Sequence, residues 1–195
     1  VFVDEICRIA DALTNRIPSL VPRGVWNGDA DAILSRHNVH SLFTQPVVDE
    51  AFARACLSGL HQWNDQLGAA HTLAMSGALP PSVAKSTLDY WHGIMHRREP
   101  DFPNAKYWFR QVGDHPLYPA VLASARRVVE TGPRVDDKRL ATVVNAEQWD
   151  PFSFVDLCQR YAERDGPTAM TVRSIQAQEM TLLLSFSAQR AFGES

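Results

Sequence analysis

Apolar residues along this chain recur at steps of three and four, the period of a helix buried along one side. Over 46–67 the positions Val48, Phe52, Ala55, Cys56, Leu60, Trp63 and Leu67 make one such stripe and predict a continuous helix. Residues 117–130 repeat the pattern with Val121, Leu122, Ala125, Val128 and Val129. Asp150-Pro151 reads as an N-cap followed by proline at the first helical position, with Phe154, Val155, Cys158, Tyr161 and Ala162 on the face behind it. Asp165-Gly166-Pro167 ends that helix and opens the last one, expected over 168–191. Helices are also expected at 3–13 and 29–37. Residues 140–144 could form a short strand, but are more simply part of a helix over 136–148. Most of the twelve prolines fall at helix starts or in the loops between helices. The expected architecture is all-α: a single irregular bundle of roughly seven to nine helices, one domain covering 1–195.

The last helix breaks the one-sided rule. Val172, Ile175, Leu182, Leu183 and Phe186 form one apolar face, and Ala169, Met180 and Leu184 form another. A helix apolar on more than one side belongs at the centre of a fold. Glu179 falls on the first face. The simpler reading puts it at the edge of the stripe, reaching water; the sharper one makes it a buried acid paired with an Arg or His from the middle of the chain, because an unpaired buried carboxylate is costly.

Composition narrows the classes without selecting one. The 195 residues are 45% hydrophobic and 21% charged, as in an ordinary folded domain. A net charge of −3 lacks the basic excess of a nucleic-acid binder, so no nucleic-acid partner is expected. Cys7, Cys56 and Cys158 are odd in number and far apart, with no C-x-x-C pair. They read as small buried hydrophobes in a reducing compartment, and a cytoplasmic location is expected. Asp4 and Glu5 stand where a signal peptide would carry positive charge, and no apolar run is long enough for a membrane span.

Chemistry concentrates between residues 90 and 115, which hold three of the seven histidines and two of the five tryptophans. His92 and His96 are four apart, so a helix projects both rings from one face, where they can share a transition metal. The H-E-x-x-H pattern has the same spacing, but its glutamate position is Gly93 here, so that general base is absent. A third ligand has to come from His71, His115, Asp65 or Glu179. The bland alternative holds the histidines by local hydrogen bonds and aromatic packing. Arg97, Arg98, Glu99 and Asp101 follow at once. Pro100 disfavours further helix at Glu99, and a new helix is expected to start near Pro103. Its free N–H groups, with Arg97 or Arg98, would make an anion site; otherwise these charges form a structural salt-bridge cluster. Asn104 and Trp108 are four apart on that helix, Tyr107 and Trp108 carry polar handles, and His115 sits at a turn facing back. Upstream, Asn64 and His71 would share a face if the helix ran past Gly68.

The run from His92 through Arg97, Arg98, Glu99 and Asp101, continued by Asn104, Tyr107 and Trp108, resembles a family of uncharacterised bacterial and fungal proteins. The resemblance extends over roughly residue 46 to the C-terminus, taking in Trp63-Asn64, His71 and the stretch from Trp149 to Cys158. It marks the place of a site and implies no activity. Dinucleotide, P-loop and G-x-S-x-G signatures are missing. The expected function is a small-molecule enzyme acting on a phosphorylated or carboxylated anion, with or without a divalent transition metal. His92, His96, His71 and Glu99 would do the chemistry. Asn64, Arg97, Arg98, Asp101, Asn104, Tyr107, Trp108 and His115 would bind the ligand. The alternatives are a non-catalytic module for a small anion or metal, and a structural or partner-binding helical protein.

Overall fold

The computed structural model describes residues 2–75 and 79–193 and is all-helical. The order is α1 (Asp4–Thr14), α2 (Gly28–Leu34), α3 (Glu50–Trp63), α4 (Leu67–Ala74), α5 (Val83–Arg98), α6 (Phe102–Val112), α7 (Tyr118–Thr131), α8 (Lys138–Asn145), α9 (Pro151–Tyr161) and α10 (Pro167–Ala191). Among the described residues there is no strand, only an isolated bridge between Phe2 and Phe43, and 140–144 is helical within α8. No helix among them is long and apolar enough to cross a membrane. The three cysteines are free thiols; Cys56 and Cys158 are buried and Cys7 is half-buried.

Among the described residues there are ten helices where seven to nine were expected, and the addition comes from the stripe over 46–67. The helix starts late because Asp49 caps it, accepting from Ala51 N (2.9 Å) and Phe52 N (3.2 Å). It stops early because Asp65 adopts φ 62°, a left-handed conformation that ends a helix. Arg16 and Arg98 both pair with the Asp65 carboxylate, and Arg16 also donates to Trp63 O at 2.7 Å. Past this break the chain re-enters helix as α4, laid back on α3: Ser58 Oγ donates to Ala70 O (3.0 Å) and Arg54 Nη2 to Leu73 O (3.1 Å). Asn64 and His71 therefore do not share one continuous helix.

α10 packs against both α3 and α7, and α5 against α3, α4 and α6. Residues of all ten helices join one apolar cluster. The two-faced pattern of α10 finds its cause here, since residues on several sides of it are buried. Small residues set the closest approach: a Cβ on Gly59 of α3 would lie 2.5 Å from the Trp91 ring of α5. Gly93 meets Phe109 of α6 in the same way, at 3.0 Å. A glutamate at position 93 would have to push the Phe109 ring back by a few tenths of an ångström.

Glu179 corrects the simpler expectation. It is fully buried, accepts from Tyr90 Oη at 2.9 Å and pairs with Arg97 Nη2 at 2.5 Å, while Arg97 lies over the Phe154 ring.

Candidate metal centre

Helix α5 ends at Arg98, and the chain turns within three residues into α6. Asp101 N donates to His96 O (2.9 Å), and the Asp101 carboxylate caps α6 by accepting from Asn104 N (3.2 Å). This tight corner sets one face of α6 against the histidine face of α5. His92 and His96 lie parallel, with centroids 4.9 Å apart. The Trp108 indole stacks on His92 at 3.7 Å. From the other side, α4 brings His71 edge-on to both rings, at 4.8 Å from His92 and 5.4 Å from His96. One ring nitrogen from each of the three imidazoles falls within 4.8 Å of the others.

The three rings differ in how their nitrogens are served. His96 Nδ1 lies 3.1 Å from a Glu99 carboxylate oxygen, which fixes the tautomer with hydrogen on Nδ1 and leaves Nε2 as an electron-pair donor. A carboxylate behind a ligating imidazole is the usual second support of a metal-binding histidine. The Asn104 amide sits beside the same ring, 3.1 Å from Nε2 and 3.4 Å from Nδ1. His92 is 1% exposed, and neither of its ring nitrogens has a hydrogen-bond partner among the described residues. Burial, then His96 and His71, push its pKa down to about 3. Burial likewise lowers His96, against the opposing pull of Glu99. Neutral imidazole is the ligating form. His71 and Trp108 are half-buried and Glu99 is exposed, whereas His92 and His96 are buried.

Several residues expected at the site serve the scaffold instead. Arg97 is held by Glu179. Arg98 is fully buried, donating to Asp65, Gln62 O and Ser19 O; burial, opposed by Asp65, lowers its pKa to about 10, so it remains a cation. Both guanidiniums are buried and paired internally, although Arg97 Nε and Nη1 and Arg98 Nε have no hydrogen-bond partner among the described residues. Asn64 is buried, exchanging hydrogen bonds with the Asn27 backbone (3.1 and 3.0 Å). His115 does not face back: its Nδ1 accepts from Leu117 N (3.2 Å) and its Nε2 meets Thr87 Oγ1 (3.1 Å), among Tyr90, Tyr118 and Phe186. Asp65 and Glu179, the acids weighed as third ligands, are taken by arginines. Tyr107 is 49% exposed and lies edge-on to Trp108. The third imidazole is His71. Sequence reasoning overlooked His61, which is buried and bonded to Gln66 Oε1 at 3.0 Å; no pattern in α3 sets it apart from its apolar neighbours. Compared with protein-family models, curated proteins and solved structures, the chain has no match.

Proposed function

We propose that this protein holds a divalent transition metal between His71, His92 and His96 and uses it as a Lewis acid on a small anionic substrate. The observation that carries the reading is His92, whose two buried nitrogens have no hydrogen-bond partner among the described residues while two further imidazoles converge on it. Leaving a buried polar atom unsatisfied costs about 1–3 kcal/mol. A bound cation would satisfy the His92 nitrogen that carries the lone pair, while the other, an N–H, is left to the surrounding rings.

An all-nitrogen donor set favours zinc, cobalt, nickel or copper over magnesium or calcium. Three protein ligands with a further position open is the arrangement of catalytic rather than structural zinc. Three neutral imidazoles also leave the ion's double charge uncompensated, so the ion takes over the anion-holding role first expected of Arg97 and Arg98. Glu99, through His96, keeps the ligating nitrogen facing the ion. Asp101 positions the first turn of α6 and adds a negative charge nearby.

Metal analysis of untagged protein tests the reading. We expect close to one equivalent of a first-row metal after loading with Zn2+ or Co2+ and desalting. His92→Ala and His96→Ala should each lose affinity well beyond the about 10–100-fold that follows loss of an outer support. Uptake that is absent, or indifferent to both substitutions, overturns it.

A further inference from the structure

We infer that a cleft between α1 and α10 binds a primary amine carrying an apolar tail, at a place separate from the imidazole cluster. α1 packs against α2 and α3, and α10 against α3 and α7. Between α1 and α10 lies an open cleft of about 390 Å³, within the range of about 300–1,000 Å³ that small-molecule sites occupy. No residue of α4, α5 or α6 lines it. One end is aromatic: Phe2 and Phe192 line it, and both pack on Phe43, with centroids 5.4 and 4.8 Å away. Ala10, Leu184 and Ala188 continue the apolar wall, and the two alanines are too short to fill the space themselves.

The other end has a definite hydrogen-bonding sense. Thr14 and Thr181 are the lining residues furthest along α1 and α10 from the aromatic end. Thr14 Oγ1 donates to Ala10 O (2.8 Å) and Thr181 Oγ1 to Ala177 O (2.9 Å). Each hydroxyl hydrogen is thus committed to its own helix, and lone pairs are what the two oxygens have left to offer. Asp11, on the same wall, adds a carboxylate, an acceptor alone; it is exposed and pairs with no cation among the described residues. Neither lysine nor arginine lines the cleft. The Cys7 thiol donates to Phe2 O (3.5 Å), so the hydrogens that remain are those of exposed, uncharged Ser185 and Gln189. A carboxylate or phosphate would meet like charge here. An ammonium brings three N–H donors and the opposite charge. The about 16 Å of α10 between Thr181 and Phe192, at 1.5 Å per residue, leaves room for its tail to run along the apolar wall.

Cys7 reports on occupancy, because it lines the cleft and is half-buried whereas Cys56 and Cys158 are buried. Metal-free protein is treated with methyl methanethiosulfonate in the presence of octylamine, octanol or octanoate, and modification of Cys7 is followed by mass spectrometry. We expect octylamine to slow the reaction saturably. Octanol should need about 5-fold more for the same protection, the upper end for an exposed ion pair, and octanoate should give none. Asp11→Asn should raise the half-protecting octylamine concentration by about the same 5-fold and leave octanol unchanged. Thr14→Val, which removes one acceptor at similar volume, should weaken octylamine in the same sense. Equal protection by the three probes, or octylamine protection indifferent to both substitutions, overturns the amine assignment. No protection by any probe overturns the cleft as a site. A rate that falls with protein concentration alone shows a second copy seated there and overturns it too. Should Thr14→Val not fold, Asp11→Asn still decides, since its side chain is on the exposed face.

Discussion

His115 shows how one buried side chain acquires a proton balance. Its Nδ1 accepts from Leu117 N, so the ring hydrogen sits on Nε2 and is donated to Thr87 Oγ1, whose own hydrogen goes to Val83 O at 2.7 Å. Protonation would set a second N–H against the Leu117 N–H. Burial, and then the charge of Arg190, lower its pKa to about 4. A histidine depressed in the folded state binds its proton more readily when unfolded, so its contribution is intact above about pH 6.5 and is lost as the pH falls towards 4. The expected loss across that window is about 3 kcal/mol. Urea unfolding at pH 7 and pH 5 checks it: His115→Gln should show a shallower fall in midpoint than wild type, and an equal fall removes the assignment.

Among the elements, helix-to-helix clearances matter as much as side-chain chemistry. Gly59 admits the Trp91 ring, which is itself fixed by Nε1–H donation to Ser187 Oγ at 3.3 Å. Alanine is the better helix former by about 1 kcal/mol, yet overpacking a filled core costs about 1–3 kcal/mol. Gly59→Ala is therefore expected to lower stability despite its propensity. In denaturant melts its cost together with Trp91→Phe should fall short of the sum of the two. Local spacing made part of the site legible: His92 and His96, like Asn104 and Trp108, sit four apart and do share faces. The same reasoning failed between α3 and α4, because the apolar stripe runs unbroken while the break depends on Asp65 meeting two arginines, one far upstream and one far downstream. His71 was visible as a candidate, but the turn that delivers it was not. A scaffold role for Arg97 and Arg98 was one of two readings open in the sequence, and spacing could not choose between them for a related reason. A cation beside an exposed loop and a cation sealed against a distant carboxylate look alike in one dimension.

At the scale of the molecule, the Arg97–Glu179–Tyr90 cluster ties the end of α5 to the middle of α10, joining residues 82 positions apart in sequence. Removing one partner of such a pair strands the other charge in a dry interior, and typically costs about 3–5 kcal/mol. Glu179→Gln is expected to destabilise by that amount in urea melts at pH 7 while leaving Tyr90 an acceptor. Pairing it with Arg97→Met should recover most of the loss; a double variant as weak as the single would place the cost elsewhere. The unevenness of this anchoring has a kinetic corollary. The two α5 imidazoles ride on a sixteen-residue helix buried through most of its length, whereas His71 rides on eight residues of which only Ala70 and Ala74 are buried. Transient peeling of that short segment is the least costly local opening at the cluster, so the residence time of any captured ion would be governed by how firmly Ser58 and Arg54 hold α4 down, not by the strength of the nitrogen donors alone.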